Sequence, residues 1–99
     1  MKVILNTCYG GFEFSKEMAD EFFSLVDGKD TWHEDYRYHP QAIELIEKRG
    51  SEWASGFCSN LVVANIPDDA TDHIIENYDG VETILFVRDG KIHKMDGWG

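Results

Sequence analysis

A short apolar strand followed closely by two adjacent glycines constrains the fold of this chain more than any other feature. Val3, Ile4 and Leu5 are branched apolar residues with no polar interruption, which is typical of a buried strand. Gly10 and Gly11 then permit positive φ angles and a close approach of another backbone segment. The sequence therefore predicts a buried first strand that ends in a tight turn.

A capped helix is predicted directly after this turn. Ser15 occupies the N-cap position, and Glu17 in the first turn complements the helix dipole. Gly28 provides a C-terminal stop. The apolar positions between them recur at helical spacing and form one face, made of Met18, Ala19, Phe22, Phe23 and Val26.

The middle of the chain predicts a loop and a second helix. Residues 29–39 are polar and aromatic and show neither helical nor strand periodicity, so we interpret them as a loop. Pro40 suits the first position of a helix, which Lys48, Arg49 and Gly50 end in the expected order. Residues 51–58 are interpreted as a linker or a short helical extension.

The last 40 residues are rich in strand and turn signals. The segment 60–66 predicts a second buried strand, and residues 83–87 predict another. Asp89-Gly90 is a type I′ hairpin signal, with the chain returning through residues 91–95. Residues 70–78 fit a helix or a strand that turns at Asp79-Gly80, and periodicity alone leaves both open.

Length limits how these elements can be arranged. The chain has 99 residues, which makes residues 1–99 one domain with one core. We therefore expect an α+β fold of two layers, with both helices on one face of a largely antiparallel sheet.

Composition excludes several classes of function. The formal net charge of −10 disfavours binding to duplex nucleic acid, although an acidic nucleic-acid mimic remains an alternative. No apolar stretch approaches the length of a membrane span or a signal peptide, so we expect no membrane partner and a cytoplasmic protein. Cys8 and Cys58 are then expected to remain reduced thiols. We expect no cofactor and no metal, because no metal-binding spacing is present.

The glycine turn and the aromatic loop together form the predicted ligand site. Backbone N–H groups of a strand–turn–helix unit can cradle an anion, and aromatics with an arginine can stack on a base and pair with a phosphate. The turn lacks a complete phosphate-binding motif, and two nearby acids, Glu13 and Glu17, weaken phosphate binding. The predicted ligand-binding residues are Asn6, Cys8, Tyr9, Gly10, Gly11, Phe12, Ser15, Trp32, Arg37 and Tyr38.

Catalysis is the main alternative to binding. Cys8 lies near a helix start, where a thiol could become a nucleophile, but such a cysteine also needs a base. The chain has four histidines, His33, His39, His73 and His93. None of them lies at a spacing from Cys8 that indicates a catalytic pair. The sequence thus favours a binding protein over an enzyme and assigns no catalytic residue.

The turn also carries a resemblance. The run from Asn6 to Phe12, with Ser15 after it, resembles the opening N-x-C-Y-G-G-F-x-x-S of a family of small bacteriophage proteins. The similarity continues at 54–56, 61–63, 66–69 and 78–82, while Tyr38-His39 and the hairpin after Val87 depart from it. In that family the stretch before Tyr78 alternates like a strand, so the resemblance favours a strand over residues 72–78.

The resemblance implies a setting rather than an activity. Small phage accessory proteins often counter bacterial defence, and some sequester cyclic or ADP-ribose-type signalling nucleotides in the host cytoplasm. We therefore expect a nucleotide-sequestering protein, with a small nucleotide-cleaving hydrolase and an acidic protein-binding inhibitor as alternatives. A chain this short has little room for a closed pocket, so we also expect a homo-oligomer with Trp32 or Tyr38 near its interface.

Overall fold

The computed structural model describes residues 1–26 and 32–95 and shows an α+β fold, which confirms the predicted class. A short 3₁₀ helix at His33–Tyr36 lies between the first two α-helices. The strands and α-helices are, in chain order, β1 (Lys2–Asn6), α1 (Lys16–Leu25), α2 (Pro40–Arg49), α3 (Ser51–Ala54), β2 (Leu61–Asn65), β3 (Asp72–Tyr78), β4 (Val81–Arg88) and β5 (Lys91–Lys94). Within the described residues, no helix is long and apolar enough to cross a bilayer.

The strands are divided between two antiparallel sheets. β1 pairs with β2, and β3, β4 and β5 form a meander in that order. Ile4 packs into a core shared with the helices, whereas Val3 and Leu5 pack into a second core with Ile84 and Phe86 of β4. The β1–β2 sheet therefore lies between the helices and the meander. This division follows from β1 itself, because a strand that is apolar on both faces needs a layer on each side.

The first helix is positioned by its cap. The Ser15 hydroxyl accepts a hydrogen bond from the Met18 amide at 3.0 Å, as the sequence predicted, and donates to the Trp53 carbonyl at 2.7 Å. Met18, Ala19 and Phe22 are buried on the inner face of α1. The predicted stop at Gly28 lies outside the described residues.

The second helix also follows the prediction. α2 begins at Pro40, and the His39 ring accepts a hydrogen bond from the Gln41 amide at 3.2 Å. It ends at Arg49, and Gly50 takes a φ of 97° before the chain enters α3. Residues 51–54 are thus a short helical extension, one of the two interpretations that the sequence left open.

The ambiguous segment before Asp79 is a strand. β3 pairs along its whole length with β4, from Asp72 opposite Val87 to Tyr78 opposite Val81. Both hairpins of the meander turn at an Asp-Gly pair with two positive φ angles, 52° and 94° at Asp79-Gly80 and 54° and 73° at Asp89-Gly90. Such angles are typical of type I′ turns, which match the twist of the flanking strands.

Candidate functional site

Asn6 holds together the end of the molecule where the predicted site lies. Its side chain is buried and donates to the Cys8 carbonyl at 2.9 Å and to the Gly80 carbonyl at 2.7 Å. Its amide oxygen accepts from the Asn60 amide at 2.8 Å and from the Cys8 amide at 3.3 Å. Asn6 therefore fixes three chain segments relative to one another, and it positions the site rather than facing it.

The turn after β1 packs directly on the turn between β3 and β4, and we call this contact of Gly10, Gly11 and Gly80 the glycine junction. The Gly10 amide donates to the Asp79 carbonyl at 3.2 Å. A Cβ on Gly80 would lie 2.7 Å from the Gly10 nitrogen and 2.9 Å from the Gly11 nitrogen. Gly10 and Gly11 take φ angles of 138° and 153°, as predicted for this turn. Glycine is required at position 80 because its backbone packs directly on the backbone of the first turn.

Gly10 has a second close neighbour in the loop before β2. A Cβ on Gly10 would lie 2.7 Å from the Cβ of Cys58. Gly11 differs, because a Cβ there would meet no atom within 4 Å. The two adjacent glycines therefore have different roles, the first in packing and the second in backbone conformation only.

A cleft of about 320 Å³ opens over the glycine junction. Trp32 forms one wall and is 75% exposed. The structure thus brings four of the predicted site residues to one place, and it adds Glu34 and Asn77, which were not among the predicted ligand-binding residues. The residues that line the cleft are Gly10, Gly11, Phe12, Trp32, His33, Glu34, Asn77 and Gly80.

Arg37 does not line this cleft. Its guanidinium donates to both carboxylate oxygens of Glu82, at 2.8 and 3.2 Å, and the two side chains are only 12% and 3% exposed. It also lies 4.9 Å from the centre of the Phe12 ring. The sequence predicted that Arg37 pairs with the phosphate of a ligand. Glu34 is 3.7 Å away, but Glu82 is the principal partner. This geometry gives Arg37 a structural role and does not favour the phosphate contact.

Three other predicted site residues also have structural neighbours. The Tyr38 hydroxyl lies 2.8 Å from the His73 Nε2 atom, away from the cleft. The Ser15 hydroxyl is engaged by the helix cap and by Trp53. Cys8 is half-buried, and its backbone is held by Asn6.

The histidines are placed by packing and capping contacts. His33 stacks on Phe14, with ring centres 4.8 Å apart, and accepts a hydrogen bond from the Phe14 amide. His93 stacks on Phe86 at 5.3 Å. Across residues 1–26 and 32–95, no histidine hydrogen-bonds to a cysteine, and no three His, Cys, Asp or Glu residues are grouped so as to hold a metal.

Three exposed aromatic residues lie next in sequence to residues at the glycine junction. Tyr9 is 67% exposed, Phe57 100% and Tyr78 74%, and each neighbours in sequence a residue that contacts the junction. With Trp32 they form what we call the aromatic rim. The sequence singled out Tyr9 and Trp32 but not Phe57 or Tyr78, because only the folded chain brings the loops before β2 and after β3 to this end.

In comparisons with protein-family models, with curated proteins and with solved structures, no match to this chain is found.

Proposed function

We propose that this protein binds a small nucleotide-type ligand in the cleft over the glycine junction and sequesters it. The observation that carries the proposal is Trp32, a large aromatic side chain that is 75% exposed and forms a wall of the cleft. Stacking of a base on such a side chain contributes about 1–3 kcal/mol per base. The junction supplies a floor of backbone without side chains, against which a flat ring can lie.

The polar groups of the cleft favour recognition of the base rather than of the phosphate. The Glu34 carboxylate accepts hydrogen bonds from exocyclic amino groups, and the Asn77 amide can both donate and accept. Arg37 is already paired with Glu82, and the chain carries a net charge of −10. The ligand therefore enters base first and leaves its phosphates towards solvent, where repulsion by the protein is weakest.

Sequestration is favoured over cleavage by the contacts of the candidate catalytic groups. In the described part of the chain, neither cysteine forms a hydrogen bond with a histidine that could act as its base. The resemblance to small phage proteins supplies the setting that we propose, a host cytoplasm in which a defence system signals with such nucleotides.

Two measurements test the proposal. Mass spectrometry of molecules released by heating the protein, purified from defence-active cells, should show an intact nucleotide.

Calorimetry against cyclic dinucleotides and ADP-ribose derivatives should show binding that Trp32→Ala weakens at least about tenfold. Tyr38→Ala is the matched control, because it removes a half-exposed aromatic outside the cleft and should leave the affinity unchanged. A wild-type protein that binds no member of the panel contradicts the proposal.

A protein-binding inhibitor is the second candidate, and the width of the aromatic rim favours it. Phe57 and Tyr78 are exposed yet do not line the cleft, so a small ligand leaves them unused. Exposed aromatics grouped at one end are typical of protein-binding hot spots. The double variant Phe57→Ala with Tyr78→Ala separates the candidates. If the protein is a protein-binding inhibitor, the variant no longer captures a host protein. If it sequesters a nucleotide, the variant keeps its nucleotide affinity.

A further inference from the structure

The outer face of the meander carries an apolar patch that shares no residue with the cleft lining. Along β4, Glu82, Ile84 and Phe86 are buried against the rest of the molecule, so the alternating residues Thr83, Leu85 and Val87 point outwards. Ile74 lies opposite Leu85, and Ile92 lies opposite Val87. We call Ile74, Leu85, Val87 and Ile92 the outer patch.

The outer patch is exposed to an unusual degree for branched apolar side chains. Ile74 is 58% exposed and Ile92 is 74% exposed. The patch borders a shallow groove of about 210 Å³ whose lining also includes His73 and Phe86. Burying these side chains against another apolar surface is favourable by about 25 cal/mol per Å².

The two edges of this face carry opposite charges. Asp72 and Glu76 project from the outer face of β3, in the strand register with Ile74 between them. Lys94 projects from the same face of β5 and shares one row of the strand register with Leu85 and Ile74. This row lies between the row that contains Asp72 and the row that contains Glu76. Among the described residues, neither Glu76 nor Lys94 has an ion-pair partner within 4 Å. The face is therefore acidic on one side, apolar in the middle and basic on the other.

We propose that this face docks on the same face of a second copy of the chain, about a two-fold axis that runs parallel to β4. Such an axis places β3 of each copy over β5 of the other. Each Lys94 then falls between the Asp72 and Glu76 rows of the other copy, and the two outer patches meet in the centre. An axis perpendicular to the strands would instead set β3 over β3 and oppose like charges.

The size of the face sets the expected affinity. β3 has seven residues, β4 eight and β5 only four, so the three strands cover at most roughly 14 Å by 24 Å, which is smaller than the face of a standard stable complex. The dimer is therefore weak. This interface refines the expectation that Trp32 or Tyr38 lies near it: Tyr38 contacts His73 at the border of the patch, whereas Trp32 belongs to the cleft.

Sedimentation equilibrium of the purified chain tests this proposal independently of any ligand. The wild type should dimerise with a dissociation constant of about 100 µM, visible from about 10 to about 500 µM. Ile74→Lys with Ile92→Lys should be monomeric throughout, although the added positive charge lowers the repulsion between copies. Leu25→Lys is the matched control, an exposed apolar position on α1, and should dimerise like the wild type. Thermal melting confirms that each variant is folded.

A charge exchange tests the orientation. Glu76→Lys should weaken the dimer about fivefold or more, whereas a simple net-charge effect would strengthen it. Lys94→Glu should weaken it to a similar degree, and the double variant should restore the affinity to within about twofold. A wild type that is monomeric at every concentration overturns the proposal, as does a dimer that survives the paired lysine substitutions. A double exchange without restoration overturns the proposed axis.

Discussion

Arg37 and Glu82 form a buried ion pair that joins the segment before α2 to β4, and the guanidinium donates to both carboxylate oxygens. The two residues are 45 positions apart, and nothing near either one in the sequence indicates the other. An arginine flanked by aromatics was therefore predicted as a ligand contact, although its guanidinium is engaged by Glu82. Ser15 and Pro40, in contrast, act within their own helices, so their positions next to apolar periodicity were sufficient to predict them.

Replacing Arg37 tests this structural role. Arg37→Met should lower the free energy of unfolding by about 3 kcal/mol, because it leaves the Glu82 carboxylate buried without its partner. Arg49→Met is the control: Arg49 also pairs with a glutamate, Glu21, and stacks on an aromatic, Trp53, but it is far more exposed. That variant should lose less than about 1 kcal/mol. Urea denaturation measures both, and equal losses would contradict a special role for Arg37.

The two glycines of the first turn give a second comparison at this scale. Gly10→Ala should destabilise the fold by about 2 kcal/mol or more, because it adds a clash with Cys58 to an unfavourable positive φ. Gly11→Ala should cost only about 1 kcal/mol, since its Cβ would meet open space. Thermal melting of the pair measures the difference, and a Gly11→Ala variant that is the less stable would contradict the packing described for Gly10.

Among the secondary-structure elements, the meander shows which parts of the fold local turn residues can predict. Asp89-Gly90 predicted its hairpin because a type I′ turn depends on two residues only. Residues 72–78 remained ambiguous on periodicity because Ile74 and Tyr78 are exposed in the strand, so burial does not mark one face. The division into two sheets was not predicted, since it depends on which core accepts each face of β1.

The two Asp-Gly turns of the meander are a matched pair for testing the glycine junction. Gly80→Ala and Gly90→Ala both place an alanine at a positive φ, 94° and 73°, but only the first places a Cβ against the Gly10 and Gly11 nitrogens. We expect a loss of about 1 kcal/mol for Gly90→Ala and about 2–3 kcal/mol for Gly80→Ala. Chemical denaturation measures both. Equal losses in the free energy of unfolding would contradict the close packing of Gly80 against Gly10 and Gly11.

In the whole molecule, the two surfaces that we propose for binding lie outside the apolar cores. The helices, the β1–β2 sheet and the meander are held by two apolar cores, whereas the exposed aromatics lie mostly at the glycine junction and the exposed isoleucines on the outer face. The sequence drew attention to Gly10, Gly11 and Trp32, which the structure brings together in one cleft. It could not show the second surface, because the outward direction of Ile74 and Ile92 depends on strand register.

Indole nitrogen NMR tests the proposal that the cleft beside Trp32 binds a nucleotide base. Titration with the cyclic dinucleotide and ADP-ribose panel should shift the Trp32 indole N–H signal, because a stacked base adds its ring current there. Trp53 is the internal reference, since it packs against Arg49 outside the cleft, and its signal should remain in place. If no compound shifts the Trp32 signal at millimolar concentration, the cleft does not bind a nucleotide base.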